Sequence, residues 1–571
     1  SGAMGPAHVG DGRRPLRVAF AIVLAVQVFL AVLGVADQWT RGHNGWNGAA
    51  YQNAARNTLR WDVLFPLQYE TANVPPKKAQ LYTHAPLGLH LNNVASVRLF
   101  GDQEASIRGV AAFWSVAALC MLFAVVRRLW DGPRALVAAA IYVALPINAI
   151  YTNMANHSSG FIFWSLLTLY LYLRASHATP RPWPAFFLML ASFTLAATWD
   201  WPAYYVAACM AAHWAWALFH ARSADGARTN AAQLTAFCAW VLLVFAGHFV
   251  LVEAMTGNLD ELTGTFNARR ALSWARFRTH LLTVPVLMFS APVLGLCAAW
   301  TVGWGARAWG GTARGRDLVP LAFLLAGLIH YWTFRWSAIV HSYWAWPFLP
   351  AAAIIVSVSL FAMAGWIRAR AGVAASLGVI LLLVPLAVRV VQIVPEGRYV
   401  GGSMWFFTPV RGATDSYDSG RAELRLARRV KAWTNRETGV QLHTSLKPRR
   451  LEPRFDITLD RVTHRWSQKP REEIPNRKGV SGWVFLAAVD AFSEEERVSM
   501  AAEHPYRELG RYFMLDLRGS GVDLEVSGLT PYAPGPRWWL LHSPFEPPVR
   551  TTRLVAAEQT MRRKVMELDA P

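Results

Sequence analysis

Residues 84–100 read HAPLGLHLNNVASVRLF, and whether this stretch crosses a membrane decides the fold of the whole chain. It is apolar enough to pass for a span, yet His90, Asn92, Asn93 and Arg98 interrupt it. That mixture suits an interfacial or re-entrant helix, because unsatisfied polar groups are costly in hydrocarbon. The charges elsewhere settle the matter. Apolar runs of roughly 20 residues span as helices, and about eleven are present: 17–36, 105–126, 135–151, 160–173, 183–198, 203–219, 234–255, 281–303, 318–334, 344–367 and 373–394. Alternate connections between them carry the arginines: Arg13/Arg14/Arg17, Arg127/Arg128/Arg134, Arg174/Arg181, Arg222/Arg228, Arg307/Arg314/Arg316 and Arg368/Arg370. Basic connections face the cytoplasm. Counting 84–100 as a span would invert every basic connection after it, so it is not counted.

Composition agrees. Of the 571 residues, 54% are AVILMFWYC and 16% are charged, with a mean hydropathy of +0.23, which excludes a purely soluble or a disordered chain. The net charge of +20, from 56 basic and 36 acidic residues, would suggest nucleic acid in a soluble domain. Here it resides largely in the inner connections and suits anionic headgroups, so membrane lipids and not nucleic acid are the expected partners. All four cysteines fall in apolar stretches, which excludes a disulfide framework in the polar C-terminal third. The opening SGAMG reads as a protease-cleavage scar. The first apolar run lacks a signal-peptide cleavage site and reads as retained.

The N-terminus is then inside and the C-terminus outside. Residues 1–16 form the scar and a cytoplasmic N-terminus, 17–397 the membrane part with a long outer loop over 37–104, and 398–571 an extracytoplasmic α/β domain. A loop of that length carries function. Within it, 48–61 has helical spacing and reads as a short interfacial helix. In the C-terminal domain, 424–433 reads as a helix, 481–489 and 511–517 as strands, and Ser493-Glu-Glu-Glu496 as a capping box. A Pro-rich tail at 531–548 and a helix near 556–568 follow. Asp37, His43, Asn47, His84, Asn156, His157, Asp200, Asp260, Glu261, Arg269, Arg335 and His341 all fall at the outer ends of spans, whereas the inner connections offer mostly arginine. The asymmetry points to a site at the outer membrane surface.

The outer-loop motifs resemble those of the GT-C superfamily of membrane glycosyltransferases, in the branch of the protein O-mannosyltransferases and the lipid A aminoarabinose transferase. The block from Gly48 through Tyr51 to Arg56 and Asn57 is similar to that family's first-loop helix, His84-Ala-Pro-Leu87 to its HPPL motif, and Phe100-Gly-Asp-Gln-Glu104 to Arg108 to its FG-x-x-E-x-x-x-R continuation. Asp200-Trp-Pro-Ala-Tyr204, His341-Ser-Tyr343 with Pro350, and Leu459-Asp-Arg461 add weaker likenesses. The resemblance implies a polytopic α-helical fold in the inner (cytoplasmic) membrane of a bacterium. It also implies transfer of a sugar, with inversion, from a polyprenyl-phosphate donor to a glycan, lipid or protein acceptor at the outer face. Such a step needs a general base, a cation or hydrogen bonds at the departing phosphate, and an apolar groove for the lipid.

The chain departs from the family at one point. Asn47 and Gly48 stand where much of the family has an Asp-Glu pair before the helix tyrosine, so the base lies elsewhere. The candidates are Asp37, His43 and Asp200, followed by His157 and His341. Asp200 is preferred, because an acid between Trp199 and Trp201 at the mouth of a span is partly desolvated and its pKa rises; His43 comes next because imidazole titrates near neutrality. Asn47 and Tyr51 would position the sugar or acceptor, and His84, His157, His341 and Tyr343 would line the same cavity. Arg56 and Arg335 lead Arg269 and Arg270 for the phosphate. No cofactor is required; the outer histidines and Asp200 leave room for a divalent metal, without a specific ligand spacing. The rival class is a transporter or flippase of a polyprenyl-linked sugar or lipid, disfavoured because the polar residues crowd one face rather than the midplane.

Overall fold

A computed structural model of the chain describes residues 13–36, 39, 43–61, 64, 82–176, 182–219, 224–271, 273–281, 283–381, 401–402, 410–411, 421–434, 438–449, 459, 463–468, 470, 482–509 and 512–517. Helices dominate its first two-thirds. They are α1 (Arg13–Val32), α2 (His43–Trp61), α3 (Gly88–Phe100), α4 (Glu104–Leu129), α5 (Gly132–Ala144), α6 (Pro146–Tyr151), α7 (Ser158–Ser176), α8 (Trp183–Trp199) and α9 (Pro202–Phe219). Next come α10 (Ala224–Thr256), α11 (Asp260–Arg270), α12 (Trp274–His280), α13 (Thr283–Phe289), α14 (Ala291–Trp309), α15 (Leu318–Thr333), α16 (Arg335–Val340) and α17 (Leu349–Leu381).

Each of the first ten expected spans carries helix. The third breaks at Leu145, because Pro146 has no N–H to continue α5 and instead opens α6. The eighth is divided between α13 and α14 at Ser290, whose φ is 71°. The expectation of an inner turn at Arg368/Arg370 is not met: α17 runs through it without a proline and with good helix formers on either side. Residues 382–394, the rest of the eleventh expected span, lie outside the described residues. By length and composition alone, four helices among the described residues are long and apolar enough to cross a membrane: Arg14–Val32, Glu104–Leu129, Thr229–Thr256 and Tyr343–Arg368. Leu242, Leu243 and Val250 of α10 point apolar side chains outward, as a helix facing lipid does. The segment that decided the topology forms α3, whose 13 residues rise about 20 Å against roughly 30 Å of hydrocarbon.

Polar side chains tie the bundle together where water is absent. Gln27 of α1 donates to Thr152 Oγ1 at 2.8 Å and accepts from the Asn148 amide at 2.8 Å. Asn153 donates to the Ala31 and Leu33 carbonyls at 3.1 and 3.0 Å, closing the end of α1. Trp199, buried at the end of α8, is the hub from which Asp200 projects. Its indole packs on Trp114 at 5.4 Å between centroids and fills the space above two glycines. A Cβ at Gly160 would overlap that indole, and one at Gly88 would lie 2.6 Å from the Thr198 carbonyl oxygen.

After residue 400 a short β1 (Gly401–Gly402) pairs antiparallel with β2 (Val410–Arg411), and α18 (Arg421–Trp433) follows. The five-stranded sheet consists of β3 (Thr438–His443), β4 (Thr463–Ser467), β5 (Gly482–Ala488), β6 (Tyr506–Glu508) and β7 (Tyr512–Asp516), with α19 (Glu494–Glu503) between β5 and β6. Its order is β4-β3-β5-β7-β6, parallel across the first three strands and antiparallel thereafter. Leu426, Ala427 and Val430 of α18 cover one face, and Phe492 and Met500 pack on the other. The capping box is present: Ser493 Oγ accepts from the Glu496 N–H at 3.2 Å, and Glu496 accepts from the Ser493 N–H at 2.7 Å. The expected tail at 531–548 and helix at 556–568 lie outside the described residues.

Because neither the indole nor the α8 backbone can yield freely, Gly160→Ala is expected to cost about 1–3 kcal/mol. The check is a lower thermal midpoint of the purified protein in detergent; an unchanged midpoint would show that Trp199 has room to move.

Candidate active site

One end of the helical bundle encloses a cavity of 790 Å³. Separate stretches of chain meet there. α2 contributes Asn47 and Tyr51, the segment before α3 contributes Tyr82 and His84, and the turn into α7 contributes Asn156 and His157. The α8–α9 turn brings Asp200 and Trp201, α11 brings Thr265 and Arg269, and the region after α15 brings His341, Tyr343 and Trp344. Phe245, Phe249, Phe266 and Phe334 make much of the remaining wall apolar.

Local chemistry places each group. Pro202 opens α9 and forces a turn after α8, so Asp200 stands at the junction with its N–H bonded to the Ala196 carbonyl at 3.2 Å. One carboxylate oxygen accepts the Trp201 N–H at 2.9 Å, and the other has no partner among the described residues. Burial pushes this carboxyl up to about 7, against the opposing pull of that N–H and of Arg269. Trp201 donates its indole N–H to the His84 carbonyl at 2.9 Å, joining this turn to the segment before α3. His84 itself lies 2.6 Å through Nδ1 from Glu261 and 2.6 Å through Nε2 from Arg269. Burial lowers His84 to about 4, although the Glu261 hydrogen bond opposes it. Glu261, which burial alone would raise, is lowered to about 2 by its bonds to His84 and Thr83. Tyr51 Oη and His157 Nε2 are 2.7 Å apart, and burial holds the phenol well above its ordinary value. Asn156 accepts the Ser158 N–H at 2.7 Å, while its amide nitrogen is unpartnered among the described residues.

Asn47, Tyr51, His84, His157, Asp200, His341 and Tyr343 are thus brought together as lining of one cavity. Arg56 and Arg335 are not. Arg56 lies 2.5 Å from Asp102, and Arg335 donates to the Arg270 carbonyl at 3.0 Å. Asp37 lies outside the described residues; His43 opens α2, but its side chain is not among those described. Arg269, ranked below Arg56 and Arg335 from sequence, is the one guanidinium among the described residues that lines the cavity, and Glu261 is an acid that reaches it through His84. The available signal was spacing: Glu261, Thr265 and Arg269 recur every fourth residue and share one face of α11. His330, read as a packing residue, also lines the cavity. Among the described residues no group of three or more His, Cys, Asp or Glu side chains is placed to hold a metal.

His84 and His90 are lowered to about 4 and His157 to about 3, each chiefly by burial, from 6.5. Because the folded state holds them neutral, the unfolded chain binds their protons first as pH falls below 6.5, and stability is lost between there and pH 4. The thermal midpoint is expected to drop across that window. A midpoint flat from pH 7 to 4 would contradict neutral, buried histidines.

Residues 83–250 match the family model described as dolichyl-phosphate-mannose-protein mannosyltransferase. No curated protein matches the chain in sequence. Among solved structures, ArnT from Cupriavidus metallidurans in the apo state is similar at a TM-score of 0.55 and 13% identity, over 89% of this chain and 98% of that one. The same protein bound to undecaprenyl phosphate is similar at 0.56 and 12%, over 88% and 98%. The oligosaccharyltransferase of Archaeoglobus fulgidus is similar at 0.52 and 15%, over 80% of this chain but 65% of that one. The chain therefore shares the fold of ArnT and of this oligosaccharyltransferase, with a family match over residues 83–250 and, among the described residues, four helices long and apolar enough to cross a membrane.

Proposed function

We propose that the protein is an inverting glycosyltransferase that moves a monosaccharide from a polyprenyl-phosphate donor to a cell-envelope acceptor at the outer face of the inner membrane. Residues 17–397 form the catalytic membrane part, and 398–571 the extracytoplasmic domain. The observation that carries this reading is the pairing, in one largely apolar cavity, of a carboxylate with a raised pKa and a single guanidinium among the described lining residues. One guanidinium matches the single negative charge of a phosphodiester. The likeness to ArnT, which has been crystallised with undecaprenyl phosphate, supports the same donor class.

In this mechanism Asp200 takes the proton of the acceptor hydroxyl as its oxygen bonds to the anomeric carbon. The bond from that carbon to the phosphate oxygen breaks on the opposite side, and Arg269 stabilises the lipid phosphate that leaves. Tyr51, Asn47 and Asn156 present polar groups to sugar hydroxyls, and Tyr82 and Trp344 offer aromatic faces. The Phe245, Phe249 and Phe266 wall suits the first units of the lipid.

Sugar transfer by the purified protein from a panel of polyprenyl-phosphate monosaccharides tests the reading. Asp200→Asn is expected to lower kcat by about 10²–10⁴-fold with donor binding retained. A base whose pKa lies at about 7 must be ionised to act. The wild-type log kcat/KM is therefore expected to rise with a slope of one below pH 7 and to level above it. Tight donor binding without transfer to any acceptor would instead favour a transporter of the lipid-linked sugar.

A further inference from the structure

Glu261, Thr265 and Arg269 occupy one face of α11, and His84 is inserted between the carboxylate and the guanidinium. Eight residues of helix separate Glu261 from Arg269, about 12 Å along the axis, so the imidazole is the bridge by which they communicate. Its two nitrogens meet opposite demands. A guanidinium has only donors and stays protonated, so the nitrogen facing Arg269, Nε2, must offer a lone pair. The proton then resides on Nδ1, where the acceptor-only carboxylate of Glu261 receives it at 2.6 Å. Glu261 is fixed in turn by the Thr83 N–H at 2.9 Å, the Thr83 hydroxyl at 2.5 Å and the Thr265 hydroxyl at 3.1 Å. On the far side, one terminal nitrogen of Arg269 carries both the His84 contact at 2.6 Å and a longer one to Tyr82 Oη at 3.5 Å. The guanidinium lies over the Trp344 ring at 5.5 Å. Its other N–H groups meet no hydrogen-bond acceptor among the described residues.

We propose that Glu261 is a positioning residue: it holds the His84 proton on Nδ1, so that the bare Nε2 fixes the Arg269 guanidinium with its remaining N–H groups toward the donor phosphate. The proposal rests on the reading of the cavity as a lipid-phosphate site. Glu261 never touches the donor. A glutamine there can donate as well as accept, and with it the imidazole is free to move its proton to Nε2, which then faces the guanidinium donor to donor. The clamp loosens although the packing is kept.

Binding of farnesyl phosphate to the full chain in detergent, followed by calorimetry, tests this, with inorganic phosphate as a control for the headgroup alone. Arg269→Ala is expected to weaken farnesyl phosphate binding tenfold or more, and Glu261→Gln to weaken it about tenfold. In a His84→Ala background, Glu261→Gln is expected to change the affinity less than twofold, since the carboxylate then has no imidazole to orient. A purely structural role, through Thr83, would persist in that background, so an additive loss overturns the proposal. Full wild-type affinity in Glu261→Gln also overturns it while leaving the donor reading intact. A wild-type protein that binds no farnesyl phosphate overturns the donor reading and this proposal together.

Discussion

The imidazole of His84, held 2.6 Å from a carboxylate on one side and 2.6 Å from a guanidinium on the other, is the contact on which the cavity depends. Polar groups withdrawn from water must be matched in donor and acceptor character, and a mismatch costs far more than a match contributes. Matching these groups binds the segment before α3 to α11. The His84 carbonyl extends the tie to the α8–α9 turn through Trp201. Three stretches of chain far apart in sequence are thereby fastened at one place.

Asp200 is placed by a different kind of force. Trp199 fills a space bounded by Gly88, Gly160 and Trp114, and the close approach of α3 and α7 leaves it little freedom. A rigid aromatic neighbour sets where the carboxylate stands, and the apolar wall around it sets its charge state. Its single bond to the Trp201 N–H is too little to offset the lost hydration, so proton uptake near neutrality follows from the packing rather than from any partner. Packing and electrostatics are in this respect one design.

The two arginines preferred from sequence show why a linear reading stops short. Arg56 belongs to a helix whose other residues do line the cavity, yet its partner Asp102 comes from the turn between α3 and α4. Nothing in the sequence near Arg56 announces that pairing. The imidazole bridge was equally hidden, since His84 and Glu261 are separated by 177 residues. The α11 face, by contrast, was written locally, in the fourfold recurrence of Glu261, Thr265 and Arg269.

Hydrophobic run length, the alternation of arginine-bearing connections and turn chemistry are local or nearly local properties, and they determined the helical bundle, the short helix α3, the capped α19 and two strands of the small sheet, β5 and β7, but not β3, β4 or β6. The same local information suggested an inner turn at Arg368/Arg370, where α17 instead continues, because two arginines are compatible with either a turn or a helix. Which of many polar side chains share a cavity, which arginine is neutralised by an aspartate and which is left facing the cavity, and which acid is desolvated were decided only by the tertiary structure. Each depends on the direction of a side chain relative to a partner distant in sequence, and that direction does not exist until the helices have packed.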